Sequence, residues 1–367
     1  MLHDVLCNLC MGINMKKIIL FIIIILVFII AILYTTYAKG FFAILDEKKV
    51  YKIENIKTTE INTLDEFEFF SKGIISYNNQ KIVYMDFDNK ILWENEINEF
   101  SNKLFVAENY ILRQTDRNIT VFDKNNQQYV IPEINGNIVN VSRENGKTGL
   151  IVKGSGQTLF ILNENNEVVV DNKEFKDIIT GLSISDKSEA YSLITLTFDN
   201  GKPVNTLYFN LIADVELWST SIENEILIKT KVINNNVIAL GTENIYFYNN
   251  NGKLMWRNNI YNKILDYNIS PENQRINILF KKDNSVELIS YNFEGKIMEI
   301  QEAPSAVTNL KISDNKILAY SNNTIYLLHS NKADKIFENS ENIHDIFMEG
   351  NNIYVLFKDK ITKGQIK

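Results

Sequence analysis

The chain has 367 residues, of which 45% are hydrophobic, so it can bury the core of one large domain or of two or three ordinary ones. Its formal net charge is −7, and its Lys and Arg residues are scattered along the chain. Binding to nucleic acid requires a clustered basic surface that neutralises phosphates, so a nucleic-acid partner is not expected.

The two cysteines, Cys7 and Cys10, both precede the first apolar segment. A zinc site needs four ligands, and His3 is the one further ligand nearby, so the pair is interpreted as part of an accidental or untranslated leader. Met15 is a more natural start of the protein, and Met11 is another candidate. Because the rest of the chain lacks cysteine, a fold held by disulfides is excluded.

An apolar segment without charged residues covers residues 18–38. About 20 apolar residues in a helix cross a bilayer core roughly 30 Å thick, which predicts one transmembrane helix. A cleavable signal peptide is the alternative, since Thr36-Tyr37-Ala38 is a tolerable cleavage sequence. The apolar region of such peptides is about 7 to 15 residues long, however, so an uncleaved signal anchor is favoured.

Lys16 and Lys17 flank the short N-terminal side of this segment. Positive residues favour the cytoplasmic side, so residues 1–17 are predicted to be cytoplasmic and the C-terminal domain extracytoplasmic. Residues 39–46 form a short juxtamembrane linker with an aromatic pair that suits the membrane interface. The expected location is the cell membrane, with a single pass.

Residues 47–367 carry an internal repeat with a period of about 41 residues, which is typical of four-stranded propeller blades. Within each unit, β-branched and aromatic runs alternate with clusters of Asn, Asp, Gly and Ser, which predicts antiparallel strands joined by short turns. A comparable strand-end position recurs in seven units. It is occupied by Trp93, Tyr129, Val169, Trp218, Trp256, Met298 and Phe337.

The two ends of this domain are predicted to form one blade together. Residues 343–366 supply three strands after the seventh unit, and residues 49–55 supply a fourth from the start of the domain. Pairing both termini in one blade closes the ring and hides exposed strand edges. The sequence therefore predicts an all-β propeller of about eight four-stranded blades after one N-terminal transmembrane helix. Seven blades are the alternative, because the unit boundaries near 98–104 and 170–226 are loose.

One short motif resembles a known family. The segment from Gly252 to Trp256 resembles the Gly-x-x-x-Trp end of the repeat in quinoprotein-like propellers. The segment ending in Trp93 is similar, with Asn89 in place of Gly, and Trp218 keeps the aromatic end. The resemblance implies that these tryptophans are repeat markers that dock between blades.

The same resemblance bears on function. Quinoprotein dehydrogenases carry a cofactor pocket with a vicinal cysteine pair, whereas this domain has no cysteine. The chain looks more like membrane-anchored propeller proteins of unknown function from Gram-positive bacteria, and it is distantly similar to BamB-type scaffolds. This implies a partner-binding role without a cofactor.

Residues typical of catalysis or ligand binding are few. His329 and His344 are the histidines of the domain and are interpreted as satisfied or facing solvent. Residues 86–89 resemble part of a calcium loop but lack its later Gly and Glu, which favours a polar hairpin turn. The Gly-rich residues 146–157 lack the phosphate-loop pattern, which favours a strand pair. No catalytic, cofactor or metal site is predicted.

The expected function is a non-catalytic protein-binding scaffold in the cell envelope, held at the membrane by the N-terminal helix. Its expected partner is another envelope protein. A carbohydrate- or small-ligand-binding sensor that uses the central funnel is the alternative, and an enzyme would require a clustered constellation of reactive residues. The three tryptophans are interpreted as packing residues, because binding one ligand would require them to converge on one pocket.

Overall fold

A computed structural model describes most of the domain that follows the apolar segment. The described residues are 50–97, 103–107, 110–115, 118–131, 134–144, 146–185, 188–213, 215–314 and 316–367. The predicted cytoplasmic segment, transmembrane helix and linker, residues 1–46, lie outside them. Within the described part of the chain, no helix has the length and apolar character needed to cross a membrane.

The described residues form 32 strands in eight antiparallel sheets of four strands each. The chain begins with β1 (Ile53–Glu60). Blade 1 contains β2 (Glu66–Phe70), β3 (Gly73–Tyr77), β4 (Lys81–Asp86) and β5 (Ile91–Glu96). Blade 2 contains β6 (Lys103–Ala107), β7 (Tyr110–Thr115), β8 (Asn118–Asp123) and β9 (Gln128–Ile131). Blade 3 contains β10 (Asn137–Glu144), β11 (Lys147–Lys153), β12 (Gln157–Leu162) and β13 (Val168–Phe175).

The remaining blades follow in chain order. Blade 4 contains β14 (Ile178–Ile184), β15 (Ala190–Asp199), β16 (Lys202–Leu211) and β17 (Val215–Glu223). Blade 5 contains β18 (Leu227–Ile233), β19 (Asn236–Gly241), β20 (Asn244–Tyr248) and β21 (Leu254–Asn259). Blade 6 contains β22 (Lys263–Ser270), β23 (Arg275–Lys281), β24 (Val286–Asn292) and β25 (Ile297–Ala303). Blade 7 contains β26 (Asn309–Ser313), β27 (Lys316–Tyr320), β28 (Thr324–His329) and β29 (Lys332–Glu338).

Blade 8 closes the ring with strands from both ends of the domain. It contains β30 (Asp345–Glu349), β31 (Asn352–Leu356) and β32 (Lys360–Ile366), and its outer strand is β1. Its inner strand β30 contacts β2 of blade 1, as the inner strands of other neighbouring blades contact each other. The prediction of a propeller with eight blades is confirmed, and the alternative of seven blades is wrong.

The closing strand lies further along the chain than predicted. It was expected at residues 49–55, whereas β1 covers Ile53–Glu60 and pairs with β32 through a bulge between Glu54 and Lys57. Burial explains the difference: Ile53 packs into the core between blades 7 and 8, whereas Val50 is 77% exposed.

The hydrophobic core is divided among the blade interfaces. Eight clusters of buried side chains occur in the described residues, and each joins two neighbouring blades. The middle strands are covered on both faces, which is why β19 is an almost continuous apolar run with five of its six residues buried. Outer strands instead alternate between exposed and partly buried residues, as in β21.

The meander gives the propeller two different ends. We call the end with the first-to-second and third-to-outer strand connections the turn face. The opposite end, with the second-to-third strand hairpins and the connections between blades, is the hairpin face. Because Ile53 pairs with Ile366 at the end of β32, the chain enters the propeller at the turn face.

Blade 4 extends further than the other blades at the hairpin face. Its middle strands β15 and β16 have ten residues each, the longest strands among the described residues. They continue to pair from Thr197 to Val204, beyond the point where the inner strand begins opposite Leu196. This extension lengthens the repeat unit, which is why the unit boundaries between residues 170 and 226 were difficult to place from the sequence.

Candidate functional site

The tryptophans that mark the repeat lie between blades. Each lies near the start of an outer strand, and its indole Nε1–H donates a hydrogen bond to a backbone carbonyl in the third-to-outer turn of the next blade. The bonds join Trp93 to Lys124 at 3.0 Å, Trp218 to Asn250 at 3.2 Å, and Trp256 to Phe293 at 2.9 Å. The three indoles therefore lie at three separate interfaces and do not converge on one ligand.

Gly252 contacts the tryptophan of the preceding blade rather than Trp256 of its own motif. Its φ is +76°, and a Cβ atom there would lie 2.8 Å from Cγ of Trp218. Gly295 has the same position relative to Trp256, because a Cβ atom at Gly295 would lie 2.7 Å from the Trp256 indole. Both the backbone conformation and the close approach require glycine at these positions.

Two of the other predicted markers are displaced from the tryptophan position by one residue. Trp256 is the first residue after a β-bulge that pairs with the neighbouring strand. In blades 3 and 6 the residues in this position are Val170 and Glu299. Val169 and Met298 lie within the bulges and have no cross-strand partner in the register. The predicted equivalence of Val169 and Met298 with the tryptophans is therefore wrong, because hydrophobicity alone does not reveal a bulge.

A polar turn recurs between the third and outer strands of five blades. Its first residue, Asp or Asn, accepts hydrogen bonds from the backbone N–H groups of the third and fifth residues, and its fourth residue has a positive φ. The first residues are Asp86, Asp123, Asn163, Asn249 and Asn292. At residues 86–90 this turn is the polar hairpin that the sequence favoured over a calcium loop.

The two histidines of the domain have structural contacts. His329 Nε2 lies 2.8 Å from Asp334 Oδ2, which also accepts the backbone N–H of Tyr51 at 3.1 Å. Burial raises the pKa of Asp334, but the hydrogen bonds from His329 and Tyr51 outweigh it and leave that pKa below its ordinary value. His344 Nε2–H donates to the carbonyl of Phe67 at 3.0 Å. The Asp334 contacts thus fasten the start of the domain to blade 7.

The Gly-rich residues 146–157 form the predicted strand pair. Strand β11 pairs with β12, and the intervening turn closes with a hydrogen bond from Gly154 N–H to the Gly156 carbonyl at 2.9 Å. No helix follows in the described residues, so this stretch lacks the helix N-terminus of a phosphate loop.

The inner strands place polar residues around the axis of the propeller. In seven of the inner strands, the residue four positions before the last residue of the strand is polar. They are Glu66, Asn140, Thr180, Lys229, Asp266, Asn309 and Asp345. Burial lowers the pKa of Lys229 below its ordinary value. Charges of both signs are present, so the ring has no single strong preference for anions or cations.

Glu68 lies two residues further along the inner strand of blade 1. Burial raises its pKa, and the Tyr77 hydroxyl donates to its Oε1 at 3.4 Å. Burial and the nearby Glu68 raise the pKa of Tyr77 to about 12. Among the described residues, no group of three or more His, Cys, Asp or Glu side chains is placed to hold a metal ion.

Four large apolar side chains are exposed on the hairpin face of blades 4 and 5, and we call them the apical patch. Ile178, Phe198, Ile226 and Tyr261 are 54%, 58%, 38% and 86% exposed. Ile178 and Phe198 belong to blade 4, and Ile226 and Tyr261 lie in the loops before and after blade 5. Exposed clusters of this kind mark interaction surfaces more often than isolated apolar residues do.

The blade 4 side of the apical patch is directed at the loop before blade 5. On β15, Phe198 projects to the same side as Leu196, which pairs with Asn205 of β16. The Asn205 side-chain amide donates to the carbonyl of Glu225 at 2.7 Å. This side of blade 4 is therefore directed at the loop that carries Ile226.

A cleft of about 630 Å³ between blades 5 and 6 continues the patch. Tyr261 and Thr242 line it, and the Thr242 N–H donates to the Ile226 carbonyl at 2.9 Å. Glu243 and Arg257 add charges of opposite sign to the walls. Apolar side chains thus lie beside groups that can donate and accept hydrogen bonds.

A buried carboxylate supports this surface from below. Glu225 is 4% exposed and accepts hydrogen bonds from the backbone N–H groups of Glu243 and Asn244, the Asn244 side chain and the Tyr246 hydroxyl. Burial, with the hydrogen bond to Glu225, raises the pKa of Tyr246 above its ordinary value. The loop before blade 5 is therefore fixed rather than dependent on a partner for its conformation.

Sequence reasoning missed the apical patch. Its members lie in loops and at strand ends, where neither the period of a strand nor that of a helix applies. The available signal was Asn200-Gly201, a favourable hairpin turn that begins two residues after the apolar Phe198. That turn has positive φ at both residues, which extends the hairpin and presents Phe198 to solvent.

A family model described as a family of unknown function (DUF5711) matches residues 46–366. No curated protein matches the chain.

Solved structures with a similar fold include the crystal structure of BamB from Moraxella catarrhalis. The TM-score is 0.53 at 11% identity, covering 85% of this chain and 99% of that chain. A crystal structure described as the eukaryotic initiation factor has a TM-score of 0.54 at 13% identity, covering 81% of this chain and 83% of that chain. At these identities the similarity establishes the propeller fold alone.

Proposed function

The chain belongs to DUF5711, a family of unknown function, and we propose that it is a membrane-anchored, extracytoplasmic scaffold that binds another protein of the cell envelope without catalysis. The observation that carries the proposal is the apical patch. Four large apolar side chains are exposed on one face of a rigid propeller, beside a cleft with charges of both signs. Exposed aromatic anchors beside polar groups are typical of protein interfaces.

The shape of the patch favours a protein over a small ligand. A small-molecule site encloses most of its ligand, whereas Tyr261 is 86% exposed and Phe198 is 58% exposed on an extended hairpin. A standard protein interface covers about 800 Å² on each partner, which is wide enough to use blade 4, blade 5 and the cleft together. Such a partner would bury these side chains from several directions.

The membrane location is supported by the sequence. Residues 18–38 are uncharged and long enough to span a bilayer, and Lys16 and Lys17 favour a cytoplasmic N-terminus. The propeller would then lie outside the cytoplasm, and the partner would be exposed on the same side of the membrane.

Site-specific photo-cross-linking in the cells that produce the protein tests this proposal. A photoreactive amino acid is placed at Phe198 or Tyr261 of the full chain, with Asn165 as the control because it is exposed on the turn face. We expect a discrete protein adduct from positions 198 and 261 and none from position 165. Absence of an adduct at both patch positions, or equal adducts at all three, would contradict the proposal.

A further inference from the structure

The outer edge of the propeller near the turn face, which we call the rim, exposes the same apolar position in five blades. In blades 1, 3, 4, 5 and 6 the outer strand has a β-bulge near its start, and one residue in the bulge has no cross-strand partner in the register. That residue is large, apolar and exposed in all five blades. These bulge residues are Leu92, Val169, Leu217, Met255 and Met298.

Blades 5 and 6 differ from the other three because their bulge residue is methionine. Met255 is 54% exposed and Met298 is 55% exposed, so both side chains are open to solvent. The two blades are neighbours, since the indole of Trp256, next to Met255, bonds to the turn of blade 6. The rim of blades 5 and 6 therefore presents two sulfur-containing side chains where the other blades present hydrocarbon.

The other two methionines of the described residues are buried. Met85 and Met348 are 2% and 6% exposed. Met85 packs in the core between blades 8 and 1, and Met348 packs in the core between blades 7 and 8. A dissolved reagent reaches such side chains only when the structure opens, and opening of a packed core costs free energy. The fold thus separates two accessible methionines from two protected ones.

Accessible methionine sulfur reacts with peroxides. One oxygen atom is transferred to the sulfur: an S–O bond forms, the O–O bond of the peroxide breaks, the sulfur loses two electrons, and hydrogen peroxide is reduced to water. The product, methionine sulfoxide, is polar, and sulfoxide reductases convert it back to methionine. Because Met255 and Met298 are more than half exposed, the added oxygen can point into solvent.

We propose that Met255 and Met298 form a reversible oxidation site for hydrogen peroxide, at which the rim of blades 5 and 6 changes from apolar to polar. Three further exposed apolar side chains lie on the same two strands, so the two sulfoxides alter a group of five. These three are Leu254, Ile297 and Ile300. The apical patch is on the hairpin face, so the oxidation site stands or falls independently of the proposed scaffold function.

Peptide mapping by mass spectrometry, after timed exposure of the full chain in detergent to hydrogen peroxide, tests the site. We expect Met255 and Met298 to be oxidised at least about tenfold faster than Met85 and Met348, because the buried pair reacts only through opening of the core. Treatment with both sulfoxide reductases, one for each sulfoxide epimer, should restore unmodified peptides. Equal rates at all four positions, or sulfoxides that the reductases cannot remove from the folded protein, would overturn the proposal.

A stability measurement separates a surface site from a structural one. The control is the double variant Met255→Leu/Met298→Leu, which places at both positions the residue that blades 1 and 4 have in the same bulge, Leu92 and Leu217. We expect the wild type and the double variant to keep the same unfolding midpoint before and after limited oxidation, measured by thermal denaturation. A fall of the midpoint in the oxidised wild type that the double variant does not show would contradict the proposal, because the thioethers would then support the fold.

Discussion

The two ends of the propeller are built by different rules. At the turn face, five blades repeat the same hydrogen-bonded polar turn, and three indoles each bind the turn of the next blade. At the hairpin face, blade 4 projects beyond the other blades and large apolar side chains are exposed. The repeated contacts join neighbouring blades at the turn face, so the residues at the hairpin face are free to differ from one blade to the next.

This comparison shows why the repeated residues were poor indicators of function. Trp93, Trp218 and Trp256 are conspicuous in the sequence, but they stabilise the turn face. Phe198 and Tyr261 follow no repeat, yet they form the surface best suited to a partner. Mutations at the two ends should therefore separate loss of stability from loss of binding.

Removing an indole should produce the largest loss of stability. Trp256 stacks on Phe247 with ring centroids 5.6 Å apart and bonds to the turn of blade 6. Trp256→Ala should lower the free energy of unfolding by about 3 kcal/mol, measured by chemical denaturation. Trp256→Phe keeps the stacking and loses the N–H donor, so its loss should be about 1 kcal/mol. Equal losses for both variants would show that packing is not the main contribution.

Two glycines provide a matched pair across the two ends. Gly252 at the turn face and Gly201 at the hairpin face have φ values of +76° and +78°. A Cβ atom would meet the Trp218 indole at Gly252, whereas nothing lies within 4 Å of it at Gly201. Gly201→Ala should cost about 1 kcal/mol of backbone strain, and Gly252→Ala about 2 kcal/mol or more. Comparable costs in thermal or chemical denaturation would remove the proposed difference between the ends.

Glu68, on the inner strand of blade 1, should give the stability of the protein a distinct pH dependence. Burial raises the pKa of Glu68 above its ordinary value of 4.5, so the folded protein binds more protons there than the unfolded chain. Wild-type stability should therefore fall as the pH rises through the raised pKa. Glu68→Gln should raise the unfolding midpoint at pH 7, with the gain shrinking as the pH falls through the raised pKa and almost absent below 4.5. The exposed Glu66→Gln is the control, and an equal gain at both positions would show that burial is not the cause.

Substitutions in the apical patch should have the smallest effect on stability. Phe198→Ser and Tyr261→Ser remove exposed side chains, so each should change the free energy of unfolding by less than about 0.5 kcal/mol. Their expected effect is instead loss of the cross-linked partner, detected from a photoreactive residue at position 178. Retention of the adduct in the double variant would assign partner binding to another surface.

The fold was largely predictable because each blade repeats the same local pattern. Middle strands such as β19 are apolar throughout, turns contain Asn and Gly, and both termini carry incomplete units. The displacement of Val169 and Met298 was not predictable, because bulges change the register without changing composition. The bounds of β1 were not predictable because they depend on the burial of Ile53 between blades 7 and 8.

The candidate sites were less predictable than the fold. The apical patch depends on Phe198 of blade 4 and Ile226 in the loop before blade 5 being exposed on the same face of the propeller. This relation joins residues far apart in the sequence.

Cysteine accessibility in intact cells tests the scaffold function most directly. The propeller lacks cysteine, so Phe198→Cys and Asn165→Cys can be introduced singly after Cys7 and Cys10 are replaced by Ser. Labelling with a membrane-impermeant maleimide is compared between intact cells and the purified full chain. We predict that position 198 is protected in cells but reactive after purification, while position 165 reacts in both. Equal labelling of position 198 in both states would contradict partner binding at the apical patch, and no labelling of position 165 in cells would contradict the extracytoplasmic location.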